Sequence, residues 1–461
     1  MGRPRVIVVG GGFGGLNLAR GLKRAPVDVT LIDQTNHHLF QPLLYQVATA
    51  GLSLPEIAVP IRAVFDSQPN VRTLYGEVTG VDLETRHVKV ANGAVLPYDY
   101  LVLAAGARTN YYGHDTWAAH SFGLKTADDA IALREHILRN FELAETTEDA
   151  QKRRVLLTSV IIGGGPTGVE LAGAISELSR RVLLRDFRSL KPDMVRVVLV
   201  ERSPRVLTAF DERLSRAAQR QLAEIGVELQ LGRSVGAIDA NGVIIDGKQV
   251  PAGTVAWTSG VAPVPLATRI AAKRDNTQRL IVGPDCSLPE HPEVFAIGDI
   301  AAFVPEGGQQ ALPGVAPVAI QQGRHVAKLI DREARARRND DIEDKNTSWQ
   351  RPARRPFHYV DKGIMATVGR SRAVMQFKGL RWSGLMAWLA WLVVHIFFLV
   401  GFRTRFLVIM EWAWVYLRNA RGSRIISQPW SGESERRPAQ NRVKDTPAAT
   451  TWTHTNNGRP S

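Results

Sequence analysis

The chain has 461 residues, a formal net charge of +14 and one cysteine, Cys286. At roughly 150 residues per domain it is long enough for two or three domains. A single cysteine excludes an internal disulfide and any two-thiol redox chemistry, and it fits a reducing compartment. The basic balance serves solubility and points to nucleic acid or an anionic membrane surface. No nucleic-acid motif is present, and the aromatic residues near the C-terminus favour the membrane.

The first element reads Val6-Ile7-Val8-Val9, a short β-branched run suited to a buried parallel strand. It enters so early that no leader segment is expected before it. Gly10-Gly11-Gly12-Phe13-Gly14-Gly15 follows, then a helical stretch, then Val29-Thr30-Leu31-Ile32-Asp33. Gly10 permits a tight turn, Gly12 a close approach to a pyrophosphate, and Gly15 the packing of helix on sheet. Amides at the helix start face phosphates, and Asp33 can accept from a ribose diol. A lone Gly-x-Gly-x-x-Gly is weak evidence. Here strand, glycines, helix, second strand and acid stand in the required order.

Residues 36–49 form a loop with His37, His38 and several aromatics. Adjacent histidines do not converge on one ion without further ligands, so no metal site is expected, and the loop suits packing around a bound ring system. Residues 98–106 read as a buried strand ending in Ala104-Ala105-Gly106, and residues 254–260 repeat that form up to Gly260.

A second fingerprint follows Val160-Ile161-Ile162, with Gly163, Gly165 and Gly168 at the same spacing. This is an internal repeat of a binding unit. The next strand ends in Glu201, after an interval longer than the usual ~20 residues. The excess, residues 179–194, reads as an elongated helix and loop. Glu201 should bind an adenosine ribose and repel a 2′-phosphate, which favours NADH over NADPH; Arg202 beside it works against that preference.

Val294-Phe295-Ala296-Ile297-Gly298-Asp299 is a strand followed by Gly-Asp. In a chain with two nucleotide fingerprints, that aspartate can grip ribityl hydroxyls. Pro317 suits an early helical position, and a helix is expected through Ile330. Residues 331–351 read as a solvated helix end and linker, and residues 356–377 as short β structure. Residues 384–402 are apolar and uncharged, and their length falls within the ~17–25 residues of a membrane span. Arg403 and Arg405 then interrupt, and residues 406–417 are too short to cross. Two helices lying in the membrane interface is the favoured reading. Trp388 and Trp391 would then sit at headgroup level, with Lys378, Arg381, Arg403, Arg405, Arg418, Arg421 and Arg424 near anionic lipid. A single span and a buried dimer interface are the alternatives. The tail from 426 to 461 reads as disordered.

Together these residues resemble the type II NADH dehydrogenases, single-chain NADH:quinone oxidoreductases among the two-dinucleotide-binding flavoproteins. The resemblance covers residues 5–417. Its most specific parts are residues 38–49, the paired fingerprints, Gly298-Asp299, Asp361-Lys362-Gly363 and the terminal apolar helices. It implies an α/β fold with two Rossmann-like dinucleotide-binding domains and a C-terminal region of short β structure and membrane-associated helices. The expected partition is 1–125 and 261–330 for FAD, 126–260 for NADH and 331–425 for interface and anchor.

The resemblance also implies residue roles. FAD would be held by Gly10, Gly12, Gly14, Gly15, Asp33, Gln41, Ala105, Gly106, Gly298, Asp299 and Ala319. NADH would be held by Gly163, Gly165, Gly168, Glu201 and Gly260. Glu170 would sit near the nicotinamide, and Gln321 and Lys362 near flavin and quinone. Pro317 stands where the family often carries glutamine. The implied enzyme takes a hydride from NADH, reduces a membrane quinone, pumps no protons, forms a homodimer and lies peripherally on the cytoplasmic face of the membrane. Disulfide reductases and sulfide:quinone oxidoreductases need cysteines that are absent here. A reductase of an electron-carrier protein, or a flavoprotein of low turnover, is the alternative.

Overall fold

The structure, a computed structural model, describes residues 2–343, 351–418 and 421–427. The expected disordered tail lies, beyond residue 427, outside the described residues.

Strand β1 (Arg5–Val9) has four consecutive buried residues and is followed by α1 (Phe13–Gly21). It pairs in parallel with β2 (Asp28–Asp33), which pairs with β3 (Val71–Tyr75). On its other edge it pairs with β4 (Tyr100–Leu103), where every residue is buried. Apolar runs without alternation are what a sheet covered on both faces requires.

The chain then leaves for a second unit. Helix α2 (Ala127–Thr146) opens on a capping box made by Thr126 and Asp129. Strand β5 (Thr158–Ile162) leads into α3 (Pro166–Glu177). With β6 (Arg196–Glu201), β7 (Val227–Leu231) and β8 (Thr254–Trp257) it builds a parallel sheet in the order β7-β6-β5-β8. The segment expected as an elongated helix is instead a π turn, Leu178–Val182, followed by short 3-10 turns. Arg180 breaks the helical course by donating to the carbonyls of Pro192 and Val195. The outward and return crossings, Ala107–Thr109 and Val261–Pro263, pair as an antiparallel ribbon.

Strand β9 (His291–Ala296) rejoins the first sheet beside β4. Helix α4 (Ala316–Glu343) then crosses α1 closely. A Cβ on Gly323 would lie 2.4 Å from the Gly14 carbonyl oxygen, so only glycine permits the approach. The helix runs beyond the expected Ile330 because its later turns are partly buried. Glu333, 1% exposed, accepts from Tyr100 Oη at 2.9 Å and from Arg354 Nε at 2.5 Å, and Arg354 also reaches Asp285 at 2.7 Å.

The C-terminal region is an antiparallel meander of β10 (Ile364–Gly369), β11 (Arg372–Phe377) and β12 (Leu380–Ser383). Helices α5 (Leu385–Phe398) and α6 (Phe402–Arg418) follow. At 1.5 Å per residue α5 is about 21 Å long, short of the ~30 Å hydrocarbon core. No helix among the described residues is long and apolar enough to cross a membrane. The apolar stretch breaks at residues 399–401, where Arg405 closes α5 by donating to the carbonyls of Leu399 and Phe397.

The meander packs on α3 through Gly173. A Cβ there would stand 1.9 Å from the Val368 carbonyl oxygen. Gly173→Ala should therefore force the meander off α3, at the upper end of the ~1–3 kcal/mol typical of overpacking. A thermal melt should show a fall of several degrees in Tm; an unchanged melt would mean the backbone relaxes freely.

Candidate functional site

Both glycine loops lie at the carboxyl ends of parallel strands, the binding edge of such sheets. A Cβ on Gly10 (φ +106°) would meet the Ala104 carbonyl oxygen at 2.3 Å. One on Gly15 would meet the Gly10 oxygen at 1.9 Å. A Cβ on Gly12 would meet nothing within 4 Å, so the side from which a phosphate would approach is open. The second loop repeats this: Gly168 meets the Gly163 oxygen at 1.8 Å, while Gly165 faces open space.

Neither α1 nor α3 has a side-chain cap, although α2 and helix Glu212–Glu224 do. Orphan amides at a helix start are an anion site. Both helices behind the fingerprints start without a side-chain cap, and this fits the diphosphates of two dinucleotides.

The acids do more than sequence suggests. Asp33 accepts from Gly11 N at 2.5 Å and from both N and Oγ1 of Thr35. Glu201 accepts from Gly164 N at 2.6 Å and Ser203 N at 2.7 Å. A carboxylate offers about four acceptor positions, so each acid fixes its own glycine loop and retains capacity for a diol. The middle glycines are also closely packed: a Cβ on Gly11 would press on the end of the Ile61 side chain, and one on Gly164 would strike Glu201 near its Cβ. The runs of three consecutive glycines were the available signal.

His38 is buried and its Nδ1 meets the Gly11 carbonyl oxygen at 3.0 Å. A carbonyl only accepts, so Nδ1 carries the proton. Burial pushes the imidazole pKa down and keeps the ring neutral. Its Nε2 has no partner among the described residues. Phe13 packs edge-on to His38 and Phe40.

Asp299 is paired with Lys125 at 2.9 Å, both largely buried. Gln41 donates to the Lys125 carbonyl, and Gln322 accepts from Gly298 N at 2.8 Å. A Cβ on Gly298 would touch Ala319. Thus Gln41, Gly298, Asp299 and Ala319 meet at the start of α4, together with Lys125 and Gln322, which sequence reasoning missed. Ala105 lies against Gly10, and Gly106 turns with open space before it. Gly260 faces the Tyr112 hydroxyl closely, a contact sequence did not suggest.

Glu170 accepts from Thr367 N at 3.3 Å, and burial raises its pKa to about 8. Gln321 is engaged twice with Val360: its Nε2 donates to the carbonyl, and its Oε1 accepts from the amide. One Nε2 hydrogen remains. Lys362, two residues on, is exposed and lies over the Phe398 ring at 5.9 Å.

Two family profiles match the chain. Residues 4–323 match the pyridine nucleotide-disulphide oxidoreductases, and residues 362–419 match the NDH2 C-terminal domain. The chain is 44% identical to the type II NADH:quinone oxidoreductase NdhA of Mycobacterium tuberculosis, over 92% of this chain and 90% of the relative. It is 41% identical to Ndh of the same organism over the same shares. This chain is a type II NADH:quinone oxidoreductase.

Its fold resembles NDH2 of Plasmodium falciparum in complex with NADH, with TM-score 0.80 at 19% identity, covering 92% of this chain and 100% of that one. A sulfide:quinone oxidoreductase of Aquifex aeolicus is also similar, at TM-score 0.66 and 18% identity over 90% and 95%. The one cysteine of this NADH:quinone oxidoreductase is buried, has no disulfide, and has its thiol pKa pushed up by burial.

The Lys125–Asp299 pair gives a direct test. Lys125→Met removes the charge that holds Asp299 and should weaken FAD retention about tenfold, or ~1.4 kcal/mol. Flavin loss on dilution, followed by fluorescence, measures it; retention equal to wild type would mean the lysine is not part of the cradle.

Proposed function

We propose that the loop after β1 holds FAD and the loop after β5 holds NADH, and that quinone enters where α4, residues 356–363 and α5 converge. The observation that carries this is the pair of uncapped helix starts, each behind a glycine loop braced by its own acid. When bound, FAD supplies the acceptor for the hydride of NADH and the donor of two electrons to quinone.

The chain's residues do the rest. Amides of α1 and α3 bind the diphosphates, and Asp33 and Glu201 bind the ribose diols. Lys125 keeps Asp299 in place for the ribityl hydroxyls, with Gln41, Ala105, Gly106 and Ala319 lining the same cradle. Glu170 faces the nicotinamide, and at neutral pH it carries its proton, so it can donate as well as accept. Gln321 has one N–H left for a quinone carbonyl, and by fixing Val360 it also sets the position of Lys362, an exposed ammonium able to supply a proton. A visible spectrum, with NADH oxidation followed with and without a soluble quinone, tests the assignment as a whole. A folded, colourless protein that gains no flavin would overturn it.

The membrane reading rests on apolar stripes at helical spacing. Met386, Leu389, Val393 and Phe397 are exposed on α5, and Phe402, Phe406, Met410, Trp414 and Leu417 on α6. Two short helices with such faces suit peripheral binding in the interface, with the nucleotide units on the cytoplasmic side. A homodimer is compatible with the same region. The end of α5 at Phe398 supports the interface reading over a single span.

Two outcomes are expected. Glu170→Gln mimics the protonated carboxyl, so an inflection near pH 8 in the rate of flavin reduction by NADH should vanish and the low-pH rate should persist above it. An inflection that survives the substitution assigns it to another group. Val393→Asp with Phe397→Asp should abolish co-sedimentation with lipid vesicles yet preserve activity with a soluble quinone; continued sedimentation would place the anchor elsewhere.

A further inference from the structure

Glu170 is also approached by a chain of hydrogen bonds that the proposed mechanism does not use. Trp412 on α6 donates from Nε1 to Gln46 Oε1 at 2.8 Å. Gln46 Nε2 donates to Tyr45 Oη at 3.0 Å. Tyr45 Oη lies 3.0 Å from Thr367 Oγ1. Thr367 N donates to Glu170 Oε1 at 3.3 Å. Four stretches of chain distant in sequence meet in this line.

Its direction is determined at one end. An indole N–H donates and cannot accept. Gln46 must therefore present its oxygen to Trp412 and its amide to Tyr45. Tyr45, having accepted, is left to give its proton to Thr367. Burial, then the charge of Glu170, push the Tyr45 pKa above its ordinary range, so the hydroxyl stays a donor. Glu177 and Arg421 are the other charged groups that act on Tyr45. Tyr45 and Thr367 are 6% and 4% exposed, so an unmade link would leave a buried polar group unsatisfied.

We infer that Tyr45, Gln46 and Trp412 are positioning residues for Glu170. They hold the β10 backbone at Thr367 in one place against α3, and so hold the carboxyl in one orientation toward the hydride donor. The inference rests on the reading of Glu170 as a nicotinamide-side group. It also ties that group to α6, one of the two helices assigned to the membrane.

The experiment is a double-mutant comparison on the FAD-loaded full chain. Anaerobic stopped-flow measures flavin reduction by NADH for Tyr45→Phe and Trp412→Phe, each with Glu170 present and in Glu170→Gln. With Glu170 present, Tyr45→Phe should slow reduction about fivefold and Trp412→Phe somewhat less. In the Glu170→Gln background both factors should fall below about twofold, as coupled neighbours require. Thr367→Ser should keep the wild-type rate and Thr367→Val should behave like Tyr45→Phe. Independently of turnover, the infrared carbonyl band of the protonated Glu170, identified by its absence in Glu170→Gln, should broaden in Tyr45→Phe. Equal slowing in both backgrounds, with the band unchanged, makes Tyr45 a packing residue and overturns the inference. A Glu170→Gln protein that reduces flavin at the wild-type rate and pH dependence overturns the reading of Glu170 and the inference with it.

Discussion

Two helix starts must be kept empty, and much of the structure follows from that. An uncapped helix leaves up to four amides for water or a ligand to satisfy, and behind a glycine loop at the binding edge of a sheet a ligand anion can take them. The glycine loop ahead of such a helix has no side chains to stiffen it. Asp33 and Glu201 provide the stiffness instead, each accepting from the middle glycine of its loop. In the first loop His38 adds a second hold, on the Gly11 carbonyl. The loops are thus set before any ligand arrives, so little ordering cost falls on binding.

The second half of α3 carries a different burden. Gly173 admits the Val368 carbonyl, and that contact brings Thr367 over Glu170. A helix whose first turn follows a glycine loop thereby carries, in its next residues, a carboxyl covered by the meander. Desolvation then shifts that group toward its neutral form, against the weaker opposing effect of one amide hydrogen bond. The small residue on the helix back and the perturbed acid on its flank are consequences of one packing event.

What sequence revealed divides along a physical line. The fingerprints, strands and acids were legible because each is a local requirement: a glycine where a Cβ would strike backbone, a β-branched run where both faces are buried, an acid at a strand end. Lys125, Gln322 and the Glu333–Arg354 pair were not legible, because no local pattern names their partners; His38 was singled out with its loop, but not its hold on Gly11. The same blindness hid the partners of the arginines. Arg381 pairs with Asp211, Arg405 caps α5, Arg421 is buried against Thr49 and Glu177, and Arg424 pairs with Asp186. As a stretch of sequence they look like a lipid-facing flank; in three dimensions Arg381, Arg421 and Arg424 reach partners in the nucleotide units, and Arg405 secures the end of the preceding helix. Gln321 shows the intermediate case: its place on α4 was readable, its clasp on Val360 was not.

That reassignment changes what can hold the protein to a membrane. With Arg381, Arg405, Arg421 and Arg424 engaged by protein partners, Lys362, Lys378 and Arg403 are exposed near the apolar helices. Each basic residue near an anionic surface contributes about 1 kcal/mol, and salt screens that contribution. The exposed faces of α5 and α6 contain Met386, Val393, Phe397, Phe402 and Leu417, each at least 60% exposed. At roughly 25 cal/mol per Å², burying much of such side chains outweighs a few screened charges. Adhesion should therefore be carried mainly by apolar area. It should persist at ionic strengths that release a purely electrostatic binder, and it should depend little on whether the lipid is anionic.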